Sequence, residues 1–241
     1  MDTNVFLRFN DILTSLRDEY DTRILRRLRD ITKPHERNVT TSIVELDRLL
    51  EIGGLPRGEV IEFSGAPTSG VMSLAWMLVA EAQKRHEAVA YIDYGLCFDA
   101  DFAAGCDVAL EKLTIVRPTV ASAALSIAAT LAGHGNVSIV VLDSAELLHQ
   151  ECDSFTFDQG LRRLQATLNK SRTTALFLST VSSVGVLEHA AAVRLRLDRQ
   201  RWLRRRGDIA GVQSRVTVER NRYGRSGGGL SLQFWFPEER W

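Results

Sequence analysis

Apolar residues recur along this chain with two different periods. Over 4–28, Phe9, Ile12, Leu13, Leu16, Tyr20 and Leu28 follow steps near three and four residues, which predicts a helix. A polar linker containing Pro34 follows, from Thr32 to Thr41. A lone helix with a linker reads as an arm for a neighbouring subunit or as a helix folded back on its own domain. Ser42 to Glu45 has capping-box spacing. It predicts a short helix through Leu46, Leu49 and Leu50, stopped at Gly53-Gly54, with Leu55 to Gly58 as a turn. Short apolar runs then alternate with amphipathic stretches. Strands are predicted at 59–64, 88–93, 113–117, 138–143 and 174–179, and helices at 71–85, 99–105, 119–133 and 157–170. Apolar strands separated by helices make a mostly parallel sheet with helices on both faces.

After Ala192 the period becomes two. Val193, Leu195 and Leu197 alternate with Arg194, Arg196 and Asp198, and Leu230, Leu232, Phe234 and Phe236 with Ser231, Gln233 and Trp235. Val212, Val216 and Val218 share one parity. These are half-exposed antiparallel strands, connected at Gly207-Asp208 and over Gly224 to Gly229. The expected fold is α/β with an antiparallel C-terminal extension of the sheet. Residues 1–41 form an N-terminal helix and linker, and 42–241 the core domain.

Composition is ordinary for a globular chain: 241 residues, 45% hydrophobic and 25% charged, with Lys+Arg and Asp+Glu equal at 30 each. Local charge is less even. Glu87 to Asp158 holds 11 acidic residues against Lys112 and Arg117, and Arg194 to Arg225 holds 11 Arg against Asp198, Asp208 and Glu219. A basic stretch of that density reads as a phosphate-binding surface or as one of two solvated faces that cancel. Cys97, Cys106 and Cys152 form no C-x-x-C pair, and their odd number excludes a disulfide framework. The longest apolar run, Leu74 to Ala80, is far too short to span a membrane. A cytoplasmic protein is expected, with no metal site, because the histidines lack ligand spacing.

The chemistry centres on one loop. Strand 59–64 runs into Gly65-Ala66-Pro67-Thr68-Ser69-Gly70-Val71-Met72 and then a helix. A phosphate loop is G-x-x-x-x-G-K-[ST] in this context. The glycine spacing is right, but Val71 stands at the Lys position and Met72 at the hydroxyl position. Backbone N–H groups of such a loop still point at an anion. Val and Met neither neutralise phosphate nor hold Mg²⁺. Asp143, at the end of the apolar strand Ser138 to Leu142, is placed either to reach Mg²⁺ through water or to cap the next turn.

Leu46 to Leu50, Gly53 to Glu62 and the loop at 65–72 resemble the RecA recombinase ATPase core. Ala90 to Asp93, Ile139 to Ser144 and Val218 to Arg222 resemble its second strand, its Walker B strand and its late V-x-K-N-K segment, in the right order. The similarity covers residues 40–236. Departures fall at chemistry: Gly95 stands where the resemblance implies a catalytic Glu, and Ser179-Thr180 where it implies a phosphate-sensing Gln. The segment Val181 to Ala191 is shorter than the family's DNA-binding loop, and the family's small C-terminal domain has no counterpart. Phe98-Asp99, Leu113 to Pro118 and the run from Arg201-Trp202 to Arg222 are similar to the ImuA-like proteins encoded beside translesion polymerase components.

That resemblance implies a non-catalytic accessory of DNA repair or SOS-type damage tolerance, working with a RecA-type recombinase or a translesion polymerase component. No catalytic residue and no cofactor are expected, with ATP and magnesium as the alternative. A nucleotide-binding switch, a weak DNA-dependent ATPase and a structural assembly subunit remain competing readings. The degenerate nucleotide site would comprise residues 65–72 and Asp143. Arg199, Arg201, Trp202, Arg204, Arg205, Arg206, Arg220, Arg222, Tyr223 and Arg225 form the candidate surface for single-stranded DNA or a protein partner, because arginine for phosphates with aromatic rings for bases is the single-strand recipe. The edge of a charge-blunted hairpin reads equally well there. By resemblance, Arg220 and Arg222 would face a neighbouring subunit in a homo-oligomer.

Overall fold

A computed structural model describes residues 38–180 and 185–237. The helix expected over 4–28 lies outside the described residues. The first described segment, β1 (Asn38–Val39), pairs antiparallel with β2 (Leu55–Pro56). Between them lies α1 (Val44–Leu49). Its N-terminus is not held by the expected capping box: the N-cap is Ile43, with no side-chain bond. Asp47 takes over from inside the helix. Its Oδ1 accepts from the Thr41 N–H at 3.0 Å and the Thr41 hydroxyl at 2.7 Å.

The main sheet has eight strands in the order β10-β9-β8-β3-β7-β6-β4-β5. Five are the parallel strands expected: β3 (Val60–Ser64), β4 (Ala88–Ile92), β5 (Leu113–Val116), β6 (Val137–Leu142) and β7 (Thr174–Ser179). The start of β8 (Val193–Arg205) also lies parallel to β3, and β8 then pairs antiparallel with β9 (Asp208–Asn221), as β9 does with β10 (Gly229–Trp235). The β8–β9 turn is Arg206-Gly207, with φ of 52° and 96°, one residue before the expected connection. Two consecutive left-handed residues fit a two-residue hairpin turn. Asp208 is already paired with Arg205.

Alternation within each parallel strand divides the core between the two faces. Ile61, Phe63, Tyr91, Ile139, Val141 and Leu178 pack with α2 (Val71–Lys84). Val60, Ala90, Ile92, Val140, Leu142 and Phe177 pack with α4 (Ala121–Gly133) and α6 (Ser154–Leu168). In α6 the buried residues Phe157, Leu161, Leu164 and Leu168 make a single stripe. Asp153 caps this helix through the Thr156 N–H at 2.9 Å, which moves its start ahead of the first apolar residue. Three shorter α-helices and one 3-10 turn (Leu110–Lys112) complete the described elements; the α-helices are α3 (Ala100–Gly105), and two not expected, α5 (Ala145–Glu151) and α7 (Leu187–Ala190). β4 follows β3 in the chain but lies beyond β7 and β6 in the sheet. The carboxyl ends of the strands therefore surround a crevice where the order reverses, the usual ligand position in such sheets.

Candidate functional site

The loop after β3 is built as a phosphate cradle. The Gly65 N–H donates to the Ser179 carbonyl at 3.1 Å, tying the loop to the end of β7, and the Ser69 N–H closes a turn on the Ala66 carbonyl at 3.0 Å. Glycine is required at both ends of the motif. A Cβ on Gly65 would lie 2.4 Å from the Leu197 carbonyl oxygen, and one on Gly70 2.5 Å from the Phe234 ring. Gly70 is also left-handed, at φ 92°. α2 starts immediately after it with no side-chain cap, so its first-turn N–H groups stay available. The Ser69 hydroxyl is buried in the loop with no hydrogen-bond partner. Val71 joins the apolar core, and Met72 packs against it.

Asp143 ends β6 beside this loop. Its Oδ2 accepts from the Tyr91 hydroxyl at 2.5 Å and its Oδ1 from the Ser144 N–H at 2.6 Å. Burial pushes its carboxyl above the ordinary range, and burial with the neighbouring carboxylate pushes the Tyr91 hydroxyl up too. Next to it, Asp93 is fully buried. It accepts from the Cys97 N–H at 2.8 Å and pairs with Arg117 at 2.9 Å. Gly95 lies against Ser144: a Cβ there would be 2.4 Å from the Ser144 hydroxyl.

One cavity of 1440 Å³ runs from the loop, past Asp143 and Thr180, to α3 and the segment Phe236-Pro237. Phe102, Phe236 and Asp99 line it where it meets those two segments. Asp99 caps α3 through the Phe102 N–H at 2.9 Å, which uses one of its oxygens. Sequence reasoning missed this end. Its residues come from distant segments, and Phe236 reads as one more position in an alternating strand. The charged residues of the lining are Asp99, Asp101, Asp107 and Asp143, all acidic. No group of three metal-ligating side chains is found among the described residues.

The basic surface divides in two. On the outer hairpin, Arg199, Arg201, Arg204, Arg205 and Arg206 are exposed. Arg201 donates to the Gln213 side chain at 2.8 Å, Arg204 to the Gly207 carbonyl at 2.8 Å, and Arg205 lies 5.8 Å from the Trp235 ring centre. Trp202 is half-buried, edge-on to Phe236 and covered by the Arg199 guanidinium at 4.4 Å. The aromatic exposed beside these arginines is Trp235. Near the base of β9, Arg222 pairs with Glu59 at 3.1 Å and the Tyr223 hydroxyl donates to the same carboxylate. Burial pushes that hydroxyl up to about 12. Arg220 donates to the Glu188 carbonyl, and Arg225 lies 3.7 Å from Glu51. No helix among the described residues is long and apolar enough to cross a membrane.

Residues 9–226 match the RecA N-terminal domain family. Among curated relatives named "Protein RecA", that of Herpetosiphon aurantiacus is 31% identical over 211 residues, covering 76% of this chain and 59% of its own. That of Parvibaculum lavamentivorans is 34% identical over 212 residues (77% and 58%), and that of Fusobacterium nucleatum 29% over 239 residues (88% and 63%). The chain thus spans about three fifths of the length of these relatives. These matches overturn the expectation that the chain is not an enzyme. They cover most of it at about 30% identity to proteins of an ATPase family. Cradle, helix start and strand-end carboxylate are all built, even with Val71, Met72, Gly95 and Ser179-Thr180 standing where the resemblance implies other side chains.

Proposed function

The chain belongs to the RecA family, and from that premise we propose that it is a DNA-repair protein that binds an adenine nucleotide in the cavity between loop 65–72 and α3. The observation that carries this reading is the continuity of the cavity. The phosphate cradle, two aromatic rings and a carboxylate all line it. First-turn N–H groups of α2 suit phosphate oxygens. Phe102 and Phe236 suit the faces of a base. The second oxygen of Asp99 suits an exocyclic amine, which adenine offers. The residues present fit the nucleotide better than its usual magnesium. Met72 offers a soft thioether where a hard cation needs oxygen. Both Asp143 oxygens already accept hydrogen bonds. When bound, the nucleotide supplies a phosphoanhydride for slow, DNA-dependent hydrolysis. This chain's part is to hold the base and cradle the phosphates.

Around that site we place a cytoplasmic role in damage tolerance, beside a RecA-type recombinase or a translesion polymerase component. The outer hairpin is the surface for single-stranded DNA, with Arg201, Arg204, Arg205 and Arg206 on phosphates and Trp235 on a base. A second copy as the neighbour of Arg220 and Arg222 rests on the family resemblance, since both are bonded within the chain, to the Glu188 carbonyl and to Glu59. Calorimetric titration tests the central reading: ATP and adenosine should both bind, and Phe236→Ala should weaken both. No heat with either ligand at millimolar concentration would refute it. For the hairpin, single-stranded DNA affinity should fall steeply with salt and be lost in Arg204→Glu/Arg206→Glu.

A further inference from the structure

We propose that Arg199 supplies the positive charge that the phosphate loop lacks at Val71, so that the nucleotide's phosphates are held without magnesium. This rests on the nucleotide reading of the cavity and deepens it. A polyphosphate in this cavity faces an electrostatic problem, because the charged side chains of its lining are all aspartates. Of these, Asp143 is buried beside the loop, where a like charge is little screened, while Asp99, Asp101 and Asp107 are exposed. Some cation must balance them. Met72, a thioether where magnesium needs an oxygen, makes a poor ligand for it.

The cation that touches the loop is Arg199. It stands on β8, which passes beside the loop: the Leu197 carbonyl is what blocks a side chain at Gly65. Two residues further on, the Arg199 guanidinium donates to the hydroxyl of Thr68, a residue of the cavity lining. Trp202 supports the guanidinium from one face at 4.4 Å. Its neighbours on β8 are committed elsewhere: Arg194 to Glu62 and Glu219, and Arg196 to Asp198. Arg199 has no carboxylate partner among the described residues, and most of its five donors remain for a ligand. A second observation points the same way. The Ser69 hydroxyl is buried in the loop without a partner, and buried polar atoms are rarely left so unless a ligand or water completes them. A phosphate oxygen between Ser69, the α2 N–H groups and Arg199 would satisfy all three.

Titration of the full chain with ATP and with adenosine, each in EDTA and in magnesium, tests this. ATP should bind at least about tenfold tighter than adenosine, the increment of one charge-assisted contact. Its affinity should be the same with and without magnesium. Arg199→Ala should lose that increment and leave adenosine binding unchanged, and Arg199→Lys should recover part of it. ATP should also change the emission of Trp202 in the unaltered protein, as the guanidinium leaves its ring. If adenosine binds and ATP binds no tighter, if Arg199→Ala binds ATP normally, or if magnesium is required, the role of Arg199 is overturned and the base site stands. If neither ligand binds, the nucleotide reading itself falls.

Discussion

The two ends of the parallel sheet solve opposite problems. At the amino end polar groups are closed on one another. Arg57 donates to the Ser138 hydroxyl at 2.7 Å and to Glu87 at 2.6 Å, Ser138 donates to the same carboxylate, and the Thr173 hydroxyl donates to the Val137 carbonyl at 2.6 Å. At the carboxyl end donors are left over: the first turn of α2, the Ser69 hydroxyl and most of the Arg199 guanidinium. Both ends belong to the same strands, only five or six residues long in β3, β4, β6 and β7. A fold needs its polar groups satisfied. At the amino end one buried donor, the Arg85 Nη2, is left over, and where several gather, as at the carboxyl end, that end is shaped for something that arrives later. Damage to the amino end should therefore cost stability, and damage to the carboxyl end should chiefly cost binding.

The largest expected effect breaks that rule on purpose. Gly70→Ala sits at the ligand end, yet its methyl would meet the Phe234 ring at 2.5 Å with the backbone at φ 92°. Overpacking and left-handed strain together should destabilise the protein by about 3 kcal/mol. A lowered denaturant midpoint with an unchanged slope would report it. An unaltered midpoint would show that the loop is looser than its packing implies. Next in size is Phe236→Ala. Loss of one face of the base slot should weaken ATP and adenosine alike by about tenfold, at the lower end of measured base-stacking contributions. A loss confined to ATP would move the base elsewhere.

Replacing Val71 and Met72 together by Lys and Thr sharpens the comparison from the other side. It adds the charge and the hydroxyl whose absence defines this loop. Lys can run its apolar stem along the core that Val71 now contacts and place its ammonium at the loop. ATP binding should become magnesium-dependent and about tenfold tighter in magnesium than in EDTA. Equal affinity in both would mean that the loop no longer presents residue 71 to the phosphates.

Much of this was legible in the sequence, for physical reasons that differ by region. The parallel strands are apolar on both faces, so β3, β6 and β7 stand out as runs within one or two residues of their ends. The alternation after Ala192 gave the antiparallel extension. Helix α7 escaped because four residues are too few for a helical period to show, and α5 because it buries only Ala145 and Leu148. The Ser42–Glu45 spacing misled because Thr40, Thr41 and Asp47 hold that turn instead. At the site, the cradle could be read because its residues are consecutive. The base end could not, since Asp99, Phe102 and Phe236 meet only through the fold. Nor could the contact of Arg199 with Thr68, which spans 131 positions.

The smallest expected effect belongs to the closed end. Burial alone would raise the Glu87 carboxyl, but its hydrogen bond from Ser138 and the charges of Arg57 and Arg85 outweigh burial and leave it below the ordinary range. A carboxylate whose pKa is lowered by folding stabilises the folded state above its unfolded value, about 4.3 for Glu. That contribution is lost as pH falls through the lowered folded value. Glu87→Gln should therefore reduce stability at pH 7 and flatten its decline as pH falls below about 4.3. Denaturant midpoints measured across that window check it. ATP affinity at pH 7 should stay unchanged in this variant, since Glu87 lies at the far end of the strands from the cavity. A drop in binding as large as the drop in stability would mean that the two ends are coupled through the sheet.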